Sequence, residues 1–378
     1  MKTIIAATCS CALLLSGHAI AQGAAKGSPP SGEWKALIQE ATNLFFEGKF
    51  DGGVLAAKKA LELAERERGP NHPSVAVSLN RLAELYRALG QFAAAEPTYM
   101  RALAIRESMR NPDQPSIAQS LGNLSQLYMA QGRYSAAEPL FKRALAIVER
   151  ARGAEHPDVA TALNGLADLY REQGKFPEAE SLFKRSVSIR ERLLNPGQTQ
   201  AALPGNQAAA TVNQLAFSFN GMAAIYREQG KFDEAEVLYK RAITIVDDSR
   251  DRDHPLMARS LSGLASLQLR RGEYDSAEVL FKRAVEILDK SLDRNHPRMA
   301  AALQGLAEVY GASDRNSAAE ALLKRALEIR IVALGGQHPD VALTLEKLSQ
   351  VYAMQNRGAE AKQSADRAAA IRLALVRK

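Results

Sequence analysis

Apolar residues recur along the chain with the spacing of α-helices, and the pattern is clearest over residues 157–198. A first stripe at positions i, i+3, i+4 and i+7 is formed by Leu163, Leu166, Ala167 and Tyr170. A second stripe, with members one helical turn apart, is formed by Ala179, Phe183 and Val187. Gly174 lies between the stripes, at the position of a left-handed helix cap. Because neither helix can bury its stripe alone, the pattern predicts a helix pair that packs against copies of itself.

The same helix pair recurs along the chain. A His-Pro or Gln-Pro dipeptide precedes the first helix at residues 72, 114, 156, 254, 296 and 338. Neighbouring dipeptides are 42 residues apart, except that the step from 156 to 254 holds two such repeats and 14 further residues. A sustained period of this length is typical of a solenoid. The sequence therefore predicts one all-α solenoid of about eight helix-turn-helix units rather than two ordinary domains.

The predicted units lie near residues 33–72, 73–114, 115–156, 157–198, 213–254, 255–296, 297–338 and 339–378. An insert within 195–212 separates units four and five, and its Pro, Gly, Ala and Gln residues predict a flexible loop. Residues 22–32 are predicted to form a flexible leader. Gln268 replaces the repeated tyrosine in unit six, and Gly358 replaces an aromatic residue in unit eight. We expect weak joints at both positions, because each unit of a solenoid is stabilised mainly by its neighbours.

Small and aromatic residues in each unit follow the pattern L-A-x-x-Y, then G-x-[FY], then Ala early in the second helix. Unit four shows it as Leu166-Ala167, Tyr170, Gly174, Phe176 and Ala179. Unit two shows it as Leu82-Ala83, Tyr86, Gly90, Phe92 and Ala95. The pattern resembles the tetratricopeptide repeat (TPR), and the 42-residue period resembles the repeats of kinesin light chains and their bacterial relatives. The resemblance implies a right-handed superhelix that binds other proteins. It does not imply motor-cargo function, because we expect an export signal at the start of the chain and no amino-terminal heptad segment is predicted.

The first 21 residues have the order of a secretory signal peptide. Lys2 gives a positive end, residues 4–15 are an apolar run, and Ala19-Ile20-Ala21 is a small-x-small cleavage site. An uncleaved anchor is the alternative, but twelve residues are too few to cross about 30 Å of hydrocarbon. We therefore expect export to the periplasm or the medium, from a bacterial cell, with no membrane span in the mature protein.

Composition narrows the possible chemistry. The chain has 378 residues and a net charge of +7, which is typical of a soluble protein. Its two cysteines, Cys9 and Cys11, lie within the predicted signal peptide, so we expect a mature protein without disulfides or thiol chemistry. Nucleic-acid binding is not predicted, because aromatic residues are not interleaved with the basic ones. Neither a phosphate-binding glycine loop nor a nucleophile elbow occurs, so we expect no cofactor and no enzymatic activity.

The histidines and the charged ladders have structural explanations. All five histidines after the signal peptide belong to the His-Pro dipeptides, one per unit, and neighbouring units are separated by about 10 Å, too far to share a metal ion. They are predicted to begin helices. A Glu precedes a Lys by four residues on five second helices, and a row of arginines lies beside these pairs. We expect a self-paired outer face, with a basic surface for an acidic partner as the alternative.

The inner face of the superhelix, which the resemblance assigns to the first helices, is the predicted binding surface. Its polar positions in units two to five are Asn80, Glu84, Arg87, Asn123, Gln126, Asn164, Asp168, Arg171, Asn220 and Arg227. Amide and guanidinium groups can bind the backbone of an extended peptide or its acidic side chains. We expect a non-catalytic scaffold that binds a protein or peptide partner in this groove, as a monomer or with weak self-association. A structural or self-assembling spacer of the cell envelope is the alternative. Whether the groove, the convex face or the insert binds the partner stays open.

Overall fold

A computed structural model describes residues 31–194, 205–248, 254–292 and 296–376 of the chain. These residues form sixteen α-helices: α1 Gly32–Glu47, α2 Phe50–Arg68, α3 Pro73–Ala88, α4 Phe92–Glu107, α5 Gln114–Ala130, α6 Tyr134–Arg152, α7 Pro157–Glu172, α8 Phe176–Leu194, α9 Gly205–Glu228, α10 Phe232–Asp248, α11 Pro255–Arg271, α12 Tyr274–Ser291, α13 Pro297–Ala312, α14 Asn316–Leu334, α15 Pro339–Met354 and α16 Gly358–Val376. The prediction of an all-α solenoid of helix pairs is confirmed.

The helices pack in a regular order. Each odd-numbered helix packs against the even-numbered helix that follows it, and that helix packs against the first helix of the next unit. First helices of neighbouring units also contact each other directly, from α1 and α3 through to α11 and α13, whereas second helices are further apart. The crowded row of first helices therefore forms the concave side, and the second helices form the convex side.

Each His-Pro dipeptide begins a first helix, as predicted. The histidine is the N-cap and the proline is the first helical residue, where its missing N–H costs nothing. In each case the imidazole Nδ1 accepts a hydrogen bond from the backbone N–H two residues later, at 3.1–3.2 Å. The five capping histidines are His72, His156, His254, His296 and His338.

Aromatic rings fill the space between consecutive units at positions where the next first helix has a glycine. A Cβ added to Gly305 would lie 2.3 Å from the Phe281 ring, and one added to Gly263 would lie 2.3 Å from the Tyr239 ring. Equivalent contacts join Gly165 to Phe141 and Gly221 to Phe183. Because no side chain separates ring and backbone, these joints close tightly and bury the rings almost completely.

A polar clamp lies at the outer edge of most joints. In it, the repeated tyrosine of one unit donates a hydrogen bond to a glutamate on the second helix of the preceding unit. The Tyr–Glu pairs and distances are Tyr128–Glu96 2.9 Å, Tyr170–Glu138 3.1 Å, Tyr226–Glu180 2.7 Å and Tyr310–Glu278 3.2 Å. A cation five residues after each tyrosine lies over its ring, at 4.2–5.5 Å from the ring centroid.

The insert differs from its prediction. Helix α9 begins at Gly205, so residues 205–211 form its first two turns rather than the predicted loop. The run of Ala and Gln residues that suggested flexibility favours a helix once a following amphipathic segment extends it.

Residues 195–204 lie outside the described residues, as do the predicted signal peptide and most of the predicted leader. The leader prediction ended one residue late, since Ser31 caps α1 and Gly32 begins it. No helix of the described residues is long and apolar enough to cross a membrane.

Candidate functional site

The four asparagines predicted to line the groove are buried in the contacts between neighbouring first helices. Their exposed fractions are 5% for Asn80, 4% for Asn123, 1% for Asn164 and 4% for Asn220. The expectation that their side chains are exposed on the binding surface is therefore wrong. Because the first helices contact each other on the concave side, short amide side chains end inside that contact, and longer side chains are needed to reach the groove.

The buried amides join one unit to the next. The Asn80 amide lies 3.1 Å from Ser120 Oγ, and the Asn220 amide donates to Ser260 Oγ at 2.9 Å. The two other pairs are Ser218 Oγ with Asn164 Oδ1 at 3.0 Å and Asn123 Nδ2 with Glu84 Oε1 at 3.0 Å. These hydrogen bonds fix the register of adjacent first helices, so the amides position the groove rather than line it.

An ion cluster around Arg171 occupies the centre of the predicted site. The guanidinium lies 2.6 Å from Glu172, 3.5 Å from Glu228 and 3.6 Å from Asp168. Burial raises the pKa of Glu172, and Arg171 opposes that shift. The Arg171 side chain is only 9% exposed. Because three carboxylates surround it and one belongs to the next unit, Arg171 joins units four and five and has little capacity left for a partner.

Arg87 and Arg227 differ from Arg171. Both are partly exposed on the concave side, in units two and five. Within the described part of the chain, neither has a carboxylate at ion-pair distance, and the Nε of each is buried without a hydrogen-bond partner. Each lies near a buried tyrosine of its own unit, Tyr99 or Tyr239, whose pKa is raised by burial and lowered by the arginine. These two guanidinium groups are therefore the charges of the predicted site that remain available.

Two further predicted residues differ in whether their polar groups are already paired. Glu84 is bound by Arg81 at 2.6 Å as well as by Asn123, so it is neutralised. Gln126 is partly exposed, and its Nε2 is buried without a hydrogen-bond partner among the described residues. On the corresponding face of units seven and eight, Lys347 pairs with Glu308 at 3.1 Å. The structure thus brings the predicted residues together along one face but leaves few of them free.

Three arginines on second helices are buried, which the sequence pattern did not predict. Arg106, Arg190 and Arg330 are 2–6% exposed and hydrogen bond to hydroxyl groups of first helices. Burial lowers the pKa of Arg106 to about 10. The available signal was an arginine at the place in the second-helix stripe where other units have Val148 or Val246.

The convex face is self-paired, as predicted. All five Glu–Lys pairs form, with N–O distances of 2.6–2.8 Å. Four arginines of the neighbouring row pair with a glutamate of the preceding unit: Arg101 with Glu65, Arg143 with Glu107, Arg185 with Glu149 and Arg241 with Glu191. Among the described residues, no three His, Cys, Asp or Glu side chains converge as metal ligands would. The concave side is therefore the better candidate for binding a charged partner.

Comparison with known proteins identifies the repeat. A family model of the tetratricopeptide repeat matches residues 36–108, 116–192, 214–290, 270–331 and 298–374, and a second model of the repeat matches residues 80–150. No curated protein matches the sequence.

Several solved structures are similar to this chain, and two with TM-scores above 0.5 have the same fold. A putative kinesin light chain from Podosopora anserina with nearly identical TPR-like repeats is 25% identical, with a TM-score of 0.42, over 58% of this chain and 98% of that chain. A Rap protein complexed with Competence and Sporulation Factor is 13% identical, with a TM-score of 0.57, over 92% and 99%. The apo quorum sensor NprR from B. thuringiensis is 12% identical, with a TM-score of 0.59, over 89% and 87%. The chain belongs to the tetratricopeptide repeat family.

Proposed function

We propose that this protein is a non-catalytic scaffold that binds an extended peptide segment, with acidic side chains, along the concave face of units two to five. Tetratricopeptide repeats form protein-interaction scaffolds, and the finer assignment rests on one observation. Arg87 and Arg227 stand partly exposed on the concave side without a carboxylate partner among the described residues, while the charges between them are neutralised. An acidic side chain can form a two-pronged ion pair with a guanidinium group.

The structural neighbours are consistent with a peptide ligand. The Rap protein was solved with Competence and Sporulation Factor bound, and NprR is described as a quorum sensor. Their identities of 12–13% support the fold alone, so the ligand class proposed here comes from the arginines.

A displayed library of random peptides, selected on the full chain, tests the proposal. We expect enrichment of peptides with Asp or Glu, and Arg87→Gln with Arg227→Gln should weaken their binding by tenfold or more, since each charge-assisted hydrogen bond contributes about 1.5–3 kcal/mol. The control is Arg283→Gln with Arg325→Gln, two exposed arginines of the convex row, which should change the affinity less than twofold. Selected peptides that bind the groove variant and the wild type equally would refute the placement.

We further propose that the protein is exported and that Met1–Ala21 are removed. The order of positive residue, apolar run and Ala-x-Ala site supports this. Amino-terminal sequencing of the protein from its native host should begin after Ala21, and recovery of Met1 would refute the proposal. If the protein were a self-assembling spacer instead, its size in solution would increase with concentration.

A further inference from the structure

The two ends of the described solenoid touch each other. Ala333 and Leu334, at the end of α14 in unit seven, pack in one apolar cluster with Phe50 of α2, with Leu85 of α3 and with Leu89, the residue that caps α3. A cleft beside this cluster is lined by residues 48–52 on one side and by Val332 and Ala333 on the other. One turn of the superhelix therefore closes on itself, and we name this region the closing contact.

Two histidine caps lie at the centre of the closing contact. A Cβ added to Gly48 would lie 2.9 Å from His296 Cδ2, and one added to Gly90 would lie 2.7 Å from His338 Cδ2. At Gly132, the corresponding turn glycine of unit three, an added Cβ would have no atom within 4 Å. The turns of units one and two thus pack directly against the imidazoles that begin units seven and eight.

Burial separates these two histidines from the others. His296 and His338 are each 8% exposed, whereas His72, His156 and His254 are only partly buried although they form the same cap. The cap requires Nδ1 to be an acceptor, because it receives the backbone N–H. Protonation would place an N–H there and add a positive charge at the positive end of the helix dipole.

Two charged groups lie near the His338 imidazole. His338 has Asp340 Oδ2 at 3.9 Å on its own helix and Arg330 on α14, while the facing turn contributes Gly90. Burial lowers the pKa of His338, with Asp340 opposing the shift and Arg330 adding to it.

Arg298 follows His296 on the same helix, and the facing turn carries Lys49, whose ammonium lies 2.9 Å from Glu47. At His338, a positive charge on the imidazole would be added close to Arg330.

We propose that the closing contact is an acid-sensitive latch, in which neutral His296 and His338 hold units one and two against units seven and eight and protonation separates the ends. Because the pKa of His338 is lowered in the folded state, acid rather than base should open the latch. The contribution of neutral His338 to the stability of the contact is complete above the ordinary histidine pKa of 6.5. It is lost as the pH falls through the lower pKa of the folded state. An open latch gives a bulky partner access to the concave face. The inference does not depend on which peptide the groove binds.

Spin-label distance measurements on the full chain test the latch. Cys9 and Cys11 are replaced by Ser, and labels are attached at Leu55→Cys and Glu328→Cys, two exposed positions on either side of the cleft. Between about pH 7.5 and about pH 5, on either side of the histidine pKa, we expect the distance to increase by at least a helix diameter, about 10 Å. Helix content is followed by circular dichroism in the same samples.

Matched variants make the outcome decisive. His296→Asn with His338→Asn keeps a capping side chain that does not titrate, so the distance should stay short at both pH values. His72→Asn with His156→Asn removes two histidines outside the contact and should open like the wild type. Gly90→Ala should open the contact even at neutral pH, whereas Gly132→Ala, with the same backbone strain, should not. The proposal would be overturned if the label distance in the wild type did not change with pH. It would also be overturned if the His296→Asn, His338→Asn variant opened or lost helix content in acid as the wild type does.

Discussion

The joint between units six and seven and the joint between units five and six have the same apolar packing but different polar edges. In the first, Tyr310 and Arg315 both bind Glu278, at 3.2 and 2.7 Å, and the guanidinium lies over the tyrosine ring. In the second, Gln268 stands in place of the tyrosine and Glu273 in place of the cation.

Arg271 partly replaces the missing clamp. It reaches Glu236 and Asp233 of the preceding unit at 2.5 Å each. Gln268 itself has a buried Oε1 without a hydrogen-bond partner in the described structure. The largest apolar cluster nevertheless continues through this joint, from Tyr239 to Leu261 and Leu264. The comparison indicates that apolar contacts between ring and glycine define the fold of these two joints, while the clamp adjusts how strongly each one holds.

The shared packing should have the largest effect on stability. We expect Phe281→Ala in the joint of units six and seven, and Tyr239→Ala in the joint of units five and six, each to lower the free energy of unfolding by about 3–5 kcal/mol, because each empties a fully packed ring site. Urea denaturation followed by circular dichroism measures both. A loss at one joint only would show that the apolar packing is not shared.

The polar edges should respond differently to substitution. Tyr310→Phe removes the hydroxyl that donates to Glu278 and should lower the free energy of unfolding by about 1–2 kcal/mol. Gln268→Met removes a buried acceptor that has no partner, so its stability should stay within about 0.5 kcal/mol of the wild type or rise. The same denaturation experiment compares them, and equal losses would mean that Gln268 already acts as a clamp.

Transferring the clamp to the weak joint should stabilise it. Gln268→Tyr with Glu273→Arg places a donor and a cation beside Glu236, and we expect a gain of about 1 kcal/mol from one charge-assisted hydrogen bond and one ring–cation contact. Gln268→Tyr alone is the control and should gain less. A loss of stability in the double variant would show that Arg271 already occupies the space.

The sequence predicted the features that depend on one unit or on the repeat period, and it did not predict most contacts between units. The repeat, the helix pairs, the histidine caps and the Glu–Lys ladder depend on residues within one unit or on the period, so the pattern was sufficient for them. Asn164 is buried and Arg171 is surrounded by carboxylates because adjacent first helices pack closely. The hydrophobic pattern carries no information on that packing distance.

The clamp and the closing contact were harder to foresee for the same reason. The four-residue Glu–Lys spacing predicts the pair of Glu278 with Lys282 on one helix, but the bonds of Glu278 to Tyr310 and Arg315 cross to the next unit. The contact of Gly90 with His338 needs the pitch of the whole superhelix. Gln268, by contrast, stands where other units have the repeated tyrosine, so the sequence alone predicts a weak joint there.

Of the predicted effects on stability, the weakening of the clamp by acid should be the smallest. Hydrogen bonds from Arg315 and Lys282 are the main causes that lower the pKa of Glu278 to about 2, from an ordinary value of 4.5. A carboxyl with a depressed pKa stabilises the fold fully above its unfolded value, and this contribution is lost as the pH falls through the folded value. The difference in urea midpoint between wild type and Glu278→Gln should therefore be constant from neutral pH to about pH 5 and should narrow between about pH 4.5 and about pH 2. Glu62→Gln, on an exposed carboxyl of α2 outside the clamps, is the control and should show no such narrowing. A difference that persists unchanged at about pH 2 would mean that Glu278 acts through its shape and packing rather than through its charge.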